Sequence, residues 1–314
     1  MFRSFVNSTA AGVLATGLAI APAAAAETAA PGAAGRVHAD HAPLQTAQAK
    51  AAKRSITKMK GNLYRFQNNF HYSIFAVTPK GIIATDPINA GAARWLKAEL
   101  KKRFNQPVRY LIYSHDHPDH SSGGEVFADT ATVVAHANAK RVIVGEKRPT
   151  AVPNITFRRR MTIELGGTVV HLRYLGPNHS DNMIVMHFPA ERVLFAVDFI
   201  PVKTLAFRTL GDGYLKGWIR SLRKVERMDF DTLVPGHGQV GTRQHVTMFR
   251  EYMVDLRDGV LARIRQGQPL DQIKKELLLA KYKDWFWYKR MREENIAGMY
   301  RLIQANRRGN PGPQ

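Results

Sequence analysis

The chain has 314 residues, 45% hydrophobic and 23% charged, which excludes a disordered tail and leaves enough apolar side chain for a substantial core. Its formal charge is +21, but the basic residues are scattered, with runs only at Lys101-Lys102-Arg103 and Arg158-Arg159-Arg160. A solvated basic surface able to make peripheral contact with anionic membrane is therefore expected, rather than a nucleic-acid interface. No cysteine occurs, so disulfides and thiolate ligands are excluded and any metal must be held by His and carboxylate.

Met1-Phe2-Arg3, an apolar stretch ending Gly17-Leu18-Ala19-Ile20, and Ala24-Ala25-Ala26 form a basic, an apolar and a small-residue segment in order. Residues 1–26 are read as a cleavable signal peptide, and the mature chain is expected to be periplasmic or secreted. The apolar stretch falls short of the ~20 residues a membrane-spanning helix needs. Residues 27–55 are rich in Ala, with Pro31, Gly32, Gly35 and Pro43, and read as a flexible lead in which His38 and His41 are solvated.

A meander of strands is expected at 62–66, 72–77 and 81–86, closed by a Thr78-Pro79-Lys80-Gly81 turn. Residues 92–104 place Trp95, Leu96, Leu100 and Phe104 on one helical face and lead into an apolar strand, Tyr110-Leu111-Ile112-Tyr113. Further strands are expected at 132–135, 155–157, 169–174, 183–188, 193–197 and 232–234, with a helix at 218–227. Strands and helices alternate, which makes the class α/β. After Gly241 the periodicity is helical at 246–266, 270–279 and 296–303. The expected division is a domain over 56–245 with helices of 246–314 packed on it. The aromatic run Tyr282 to Tyr288 reads as packing, with a substrate wall as the alternative.

The strand at 110–113 runs into Ser114-His115-Asp116-His117-Pro118-Asp119-His120, three imidazoles and a usable carboxylate within six residues. Three more donors stand at the ends of apolar runs: His179 after 169–174, Asp198 after 193–197, and His237 after 232–234. Each alone fits a cap or a turn. Together, donors in four strand-end loops point to a metal site, because strand tips at one sheet edge converge. Gly236 and Gly238 allow a tight turn that aims His237.

At these motifs the sequence resembles the metallo-β-lactamase superfamily. His115-x-His117-x-Asp119-His120 is similar to its signature, and His179, Asp198 and the Pro-Gly-His-Gly around His237 are similar to its later ligand motifs, over roughly residues 60–245. The resemblance implies an αββα four-layer sandwich with a C-terminal helical extension and two Zn²⁺ ions. His115, His117 and His179 would hold the first and Asp119, His120 and His237 the second, with Asp198 bridging. Asp119 would also act in catalysis, orienting a metal-bound hydroxide or carrying a proton to the leaving group, with a purely structural ligand as the alternative. Asp86 and Asn182 are candidates to brace the ligands; Asp116 should face away from them. Gln67 to His71 would form a mobile loop over the site with Phe70 at its tip.

The resemblance further implies a small-molecule hydrolase acting on a carbonyl, a β-lactam or a lactone. Alternatives are a thioester, sulfate-ester or phosphodiester hydrolase, or a non-catalytic zinc-binding accessory protein. A bridging aspartate argues against the branch that places cysteine there. Pro201 stands where that branch has its substrate-anchoring lysine, and Lys203, Arg208 and Lys216 read as surface charges rather than replacements for it. Nucleases of the superfamily usually carry an inserted domain or an exosite arm, for which the interval from His120 to His179 leaves no room.

Overall fold

The computed structural model describes residues 52–306, which fall within one unit of the chain. The expected signal peptide, residues 27–51 of the lead and residues 307–314 lie outside the described residues. The twelve strands form two sheets. The first contains β1 (Arg54–Lys58), β2 (Leu63–Asn68), β3 (His71–Thr78), β4 (Gly81–Thr85), β5 (Val108–Ile112), β6 (Thr132–His136) and β7 (Ile155–Phe157), side by side in that order. The second runs β12 (Thr232–Pro235), β11 (Val193–Val197), β10 (Ile184–Phe188), β9 (Thr168–Tyr174) and β8 (Arg160–Leu165).

Both sheets are covered on two faces, so their central strands are buried along their length rather than alternating between buried and exposed. Every residue of β4, β10 and β11 is buried. On the outer face of the first sheet, Phe66, Phe75, Ile82 and Leu111 pack with Leu96 and Leu100 of α1 (Ala90–Phe104). Its inner face, with Leu63, Ile74, Ile83 and Ile112, joins β9 to β11 in a second core. That core continues through α4 (Leu215–Val225), α5 (Arg243–Arg265) and α7 (Tyr288–Ala305) on the far side. The layers are helix, sheet, sheet, helix, and the C-terminal helices belong to the fourth.

Some local expectations are corrected. β1 starts at Arg54, inside the span read as a flexible lead, because its backbone pairs with β2 although none of its side chains is fully buried. β8 was hidden by the basic run at 158–160: it is an edge strand in which Ile163 alone is buried. Edge strands often carry charge of this kind. A helix, α3 (Ala137–Gly145), stands where the β-branched run Val142-Ile143-Val144 gave no helical signal. The loop expected at 67–71 contracts to a two-residue hairpin turn at Asn69-Phe70, with Asn69 at φ 55°.

Topology decides where the site lies. β4 and β5 are parallel, and β3 is antiparallel to β4, so the start of β3 and the ends of β4 and β5 share an edge. In the second sheet β9, β11 and β12 all point one way, since β10 is antiparallel to β9 and β11, and β11 and β12 are parallel. A bridge between His71 and His237 joins the two edges.

Candidate metal centre

The structure brings all seven expected donors together in two groups. His115, His117, His179 and Asp198 form one; Asp119, His120, Asp198 and His237 form the other, and within each group one donor atom per residue lies within 4.8 Å of the rest. Asp198 is common to both. His117 is followed by the short helix α2 (Pro118–Ser121), whose turn carries Asp119 and His120.

Local backbone aims these groups. Val197 has φ 45°, costly for a β-branched residue, at an irregularity in the β11–β12 register immediately before Asp198. At Gly236 a Cβ would lie 2.6 Å from His120 Cε1 and 2.8 Å from Asp198 Oδ1, so only glycine lets β12 end against the ligands. Arg65 donates to the Gly238 carbonyl and holds the turn from β2.

The bracing groups fix which imidazole nitrogen faces inward. Asp86 is fully buried, and its carboxylate accepts from Ser114 N and Ser114 Oγ, both at 2.7 Å, and from His120 Nδ1 at 3.2 Å. With its proton given to Asp86, Ser114 Oγ accepts from His115 Nδ1 at 2.9 Å. His237 Nδ1 donates to the Phe70 carbonyl at 3.3 Å, and His117 Nε2 lies 3.4 Å from Asp212 Oδ1. In the neutral rings, the opposite nitrogens therefore carry lone pairs. The inward nitrogens come together in pairs, His120 Nε2 with His237 Nε2 at 3.1 Å and His117 Nδ1 with His179 Nε2 at 3.1 Å. His115 Nε2 is buried and has no hydrogen-bond partner. Converging lone pairs and carboxylates fit divalent cations, and an all His and carboxylate set suits zinc.

The electrostatics agree with a cation-seeking cluster. Burial would lower His120 and His237, but Asp198 and the other facing carboxylates outweigh it, raising His120 well above its ordinary value and His237 to about 9. Burial lowers His115 and takes His179 down to about 4. Burial would raise Asp198 and Asp119; the facing imidazoles instead hold both well below the carboxylate range.

Asn182 accepts from Asp116 N at 3.0 Å and donates to Asp116 Oδ1 at 2.6 Å, so it ties the His179 loop to the loop of His115 and His117. Asp116 does face away from the donors, and it is buried against Arg148 at 2.9 Å. Two neighbours of the donors were not legible in the sequence. His71 Nε2 lies 3.4 Å from Asp119 Oδ2, and Asp212 stands on His117. His71 begins its strand instead of following an apolar run, and so lacked the signal that marked the donors; Asp212 lies in a Gly-Asp-Gly turn with no pattern to mark it.

Beside the donors opens a cavity of about 600 Å³, lined among others by Phe70, Pro201, Leu205, Phe207, Leu210, Asp212 and Trp287. The aromatic run at 282–288 divides. Tyr282 and Trp285 pack on Tyr252, whereas Phe286 stacks on Phe70 and Trp287, which lines the cavity, meets Phe70 at a tilt. Lys203, Arg208 and Lys216 are absent from the lining.

Residues 86–237 match the sequence model of the Metallo-beta-lactamase superfamily. The chain is 28% identical over 184 residues to the 2,4-dinitroanisole O-demethylase subunit alpha of Nocardioides sp. (strain JS1661), covering 57% of this chain and 56% of that one. It is 26% identical over 197 residues to the Metallo-beta-lactamase type 2 of Elizabethkingia meningoseptica, covering 58% of this chain and 78% of that one. Thus the chain spans little more than half the length of the demethylase subunit. The fold superposes on a metallo-beta-lactamase from Pontibacter korlensis with a TM-score of 0.59 at 19% identity, covering 64% of this chain and 99% of the other. With the four-layer sandwich and the converging donors in place, residues 86–237 are a domain of the metallo-β-lactamase superfamily.

Proposed function

We propose that this protein is an exported zinc-dependent hydrolase that cleaves a small carbonyl substrate, a lactone or a β-lactam. The observation that carries the reading is the pair of donor groups sharing Asp198. Bound there, two zinc ions would supply Lewis acidity at the carbonyl oxygen and an activated water as nucleophile.

The chain's own residues do the rest. Asp86, Ser114, the Phe70 carbonyl and Asp212 hold the imidazoles in the tautomers that direct lone pairs inward. Asp119 lines the cavity and is within 3.4 Å of both His71 Nε2 and His237 Nε2. In this reading it orients the attacking water by accepting its proton, and returns that proton to the ring oxygen or nitrogen as the carbonyl C–O or C–N bond breaks. The leader at residues 1–26 supports export to the periplasm or beyond, so the secreted chain should begin at Glu27 on N-terminal sequencing.

Metal analysis of the purified protein, combined with hydrolysis assays on nitrocefin and a series of lactones, tests the reading. Zinc in the preparation and turnover abolished by His117→Ala and by Asp119→Ala are expected. Zinc-loaded protein that opens no lactone, ester or lactam overturns it.

A further inference from the structure

The cavity beside the donors has an unusual charge pattern for so basic a chain. The formal charge is +21, but no Lys or Arg is among the residues that line the cavity. Apart from the two donor groups, the one ionisable side chain in the lining besides His71 is Asp212, a carboxylate. Arg208, on the same loop as Phe207, sits over that ring at 5.1 Å and is not in the lining, nor is Lys203.

The wall is aromatic and aliphatic. Phe207 and Trp287 are 5.8 Å apart, Phe70 and Trp287 5.7 Å, and Phe70 and Phe207 remain 41% and 54% exposed at the mouth. Large apolar side chains left in contact with water around a concave site gain when an apolar ligand covers them. An ionised group against that wall would lose its hydration without a Lys or Arg partner in the lining.

Resting on the hydrolase reading above, we infer that the substrate is a neutral ester or lactone with an apolar acyl or aryl tail, and that the wall of Phe70, Phe207 and Trp287 selects against a carboxylate on that tail. A lactone or ester whose tail is uncharged fits the wall, and one whose tail ends in a carboxylate does not.

Matched probes anchored at the carbonyl and differing only at the tail end test this on the zinc-loaded full chain. Hexananilide and adipic acid monoanilide are compared by calorimetry, and the 4-nitrophenyl ester of hexanoic acid is compared with the 4-nitrophenyl monoester of adipic acid in turnover. The neutral anilide is expected to bind at least roughly tenfold more tightly, since an ionised tail would lie unpaired against the wall. Trp287→Ala should weaken the neutral anilide, and Phe207→Lys should close the gap between the two. Equal or tighter binding of the monoanilide, or no binding of hexananilide, overturns the inference. Selective anilide binding without turnover of any ester, lactone or lactam overturns the hydrolase reading and leaves the wall assignment standing. Turnover of the adipate monoester as efficient as that of the hexanoate does the reverse.

Discussion

Single side chains around the donors act through orientation. Gly236→Ala places a methyl against His120, Val197 and Asp198, all within 2.8 Å of the new Cβ. Overpacking of this kind typically costs about 1–3 kcal/mol, too little to unfold a domain with two large cores. The variant is therefore expected to keep its far-UV circular dichroism and lose most of its bound metal, as read by elemental analysis. Asp212→Asn makes a different point. Its carboxylate holds the outer nitrogen of His117, and loss of such a partner typically weakens metal affinity by about 10–100-fold. Competition with a chromophoric chelator should show that loss, with His117 itself intact.

Elements position these side chains, and two contacts between elements are exposed to test. Asn295, on α7, is fully buried: its amide donates to the carbonyls of Ala206 and Arg208 and its oxygen accepts from Tyr252. The same helix passes the loop at Gly298, where a Cβ would lie 2.1 Å from the Thr209 carbonyl oxygen. Asn295→Ala leaves two carbonyls and a hydroxyl without partners, and each such group costs about 1–3 kcal/mol. A clearly lower urea midpoint and weaker hexananilide binding are expected together, because that loop carries Phe207 and Asp212. His136 caps α3: Nε2 donates to the Arg158 carbonyl at 2.9 Å and Nδ1 accepts from Asn138 N at 3.3 Å. The bond from Asn138 needs the neutral ring, because a protonated Nδ1 cannot accept, and burial holds the imidazole below its ordinary value. The unfolded chain then takes the proton first, so this contribution to stability is present above about pH 6.5 and is lost as pH falls towards the folded value. Thermal melts at pH 7 and pH 5 should show the loss in the native chain, and His136→Gln should flatten it.

Periodicity explains which elements could be read in advance. The central strands β4, β10 and β11 are short, fully buried runs because both sheet faces are covered, and α1 shows its one buried face plainly. β1 and β8 escaped because edge strands bury little, so backbone pairing rather than side-chain pattern defines them. α3 escaped because a histidine caps it, a residue outside the usual cap set of Ser, Thr, Asp and Asn.

For the whole molecule, two apolar cores are complete without the donors, one between the sheets and the C-terminal helices and one beneath α1. Removal of metal by a chelator is therefore expected to lower the melting temperature without abolishing the cooperative transition. Zinc at about 100 times its dissociation constant should restore roughly 2.7 kcal/mol, measured by the shift in the denaturant midpoint. An unfolded metal-free protein would place the donors in the folding core instead.

The kinds of donor and their order are written in the chain. With no cysteine, His and Asp at strand ends are what a metal centre must use, and seven of them follow apolar runs or the turn after one. Packing across distant segments decided the rest. His71 meets Asp119 because β3 is antiparallel to β4, and Asp212 meets His117 although 95 positions separate them. The apolar wall is likewise assembled from the β2–β3 turn, the loop after β11 and the start of α7. Such contacts leave no period or spacing in a sequence, since they depend on which sheet edges and helix ends the two cores bring face to face.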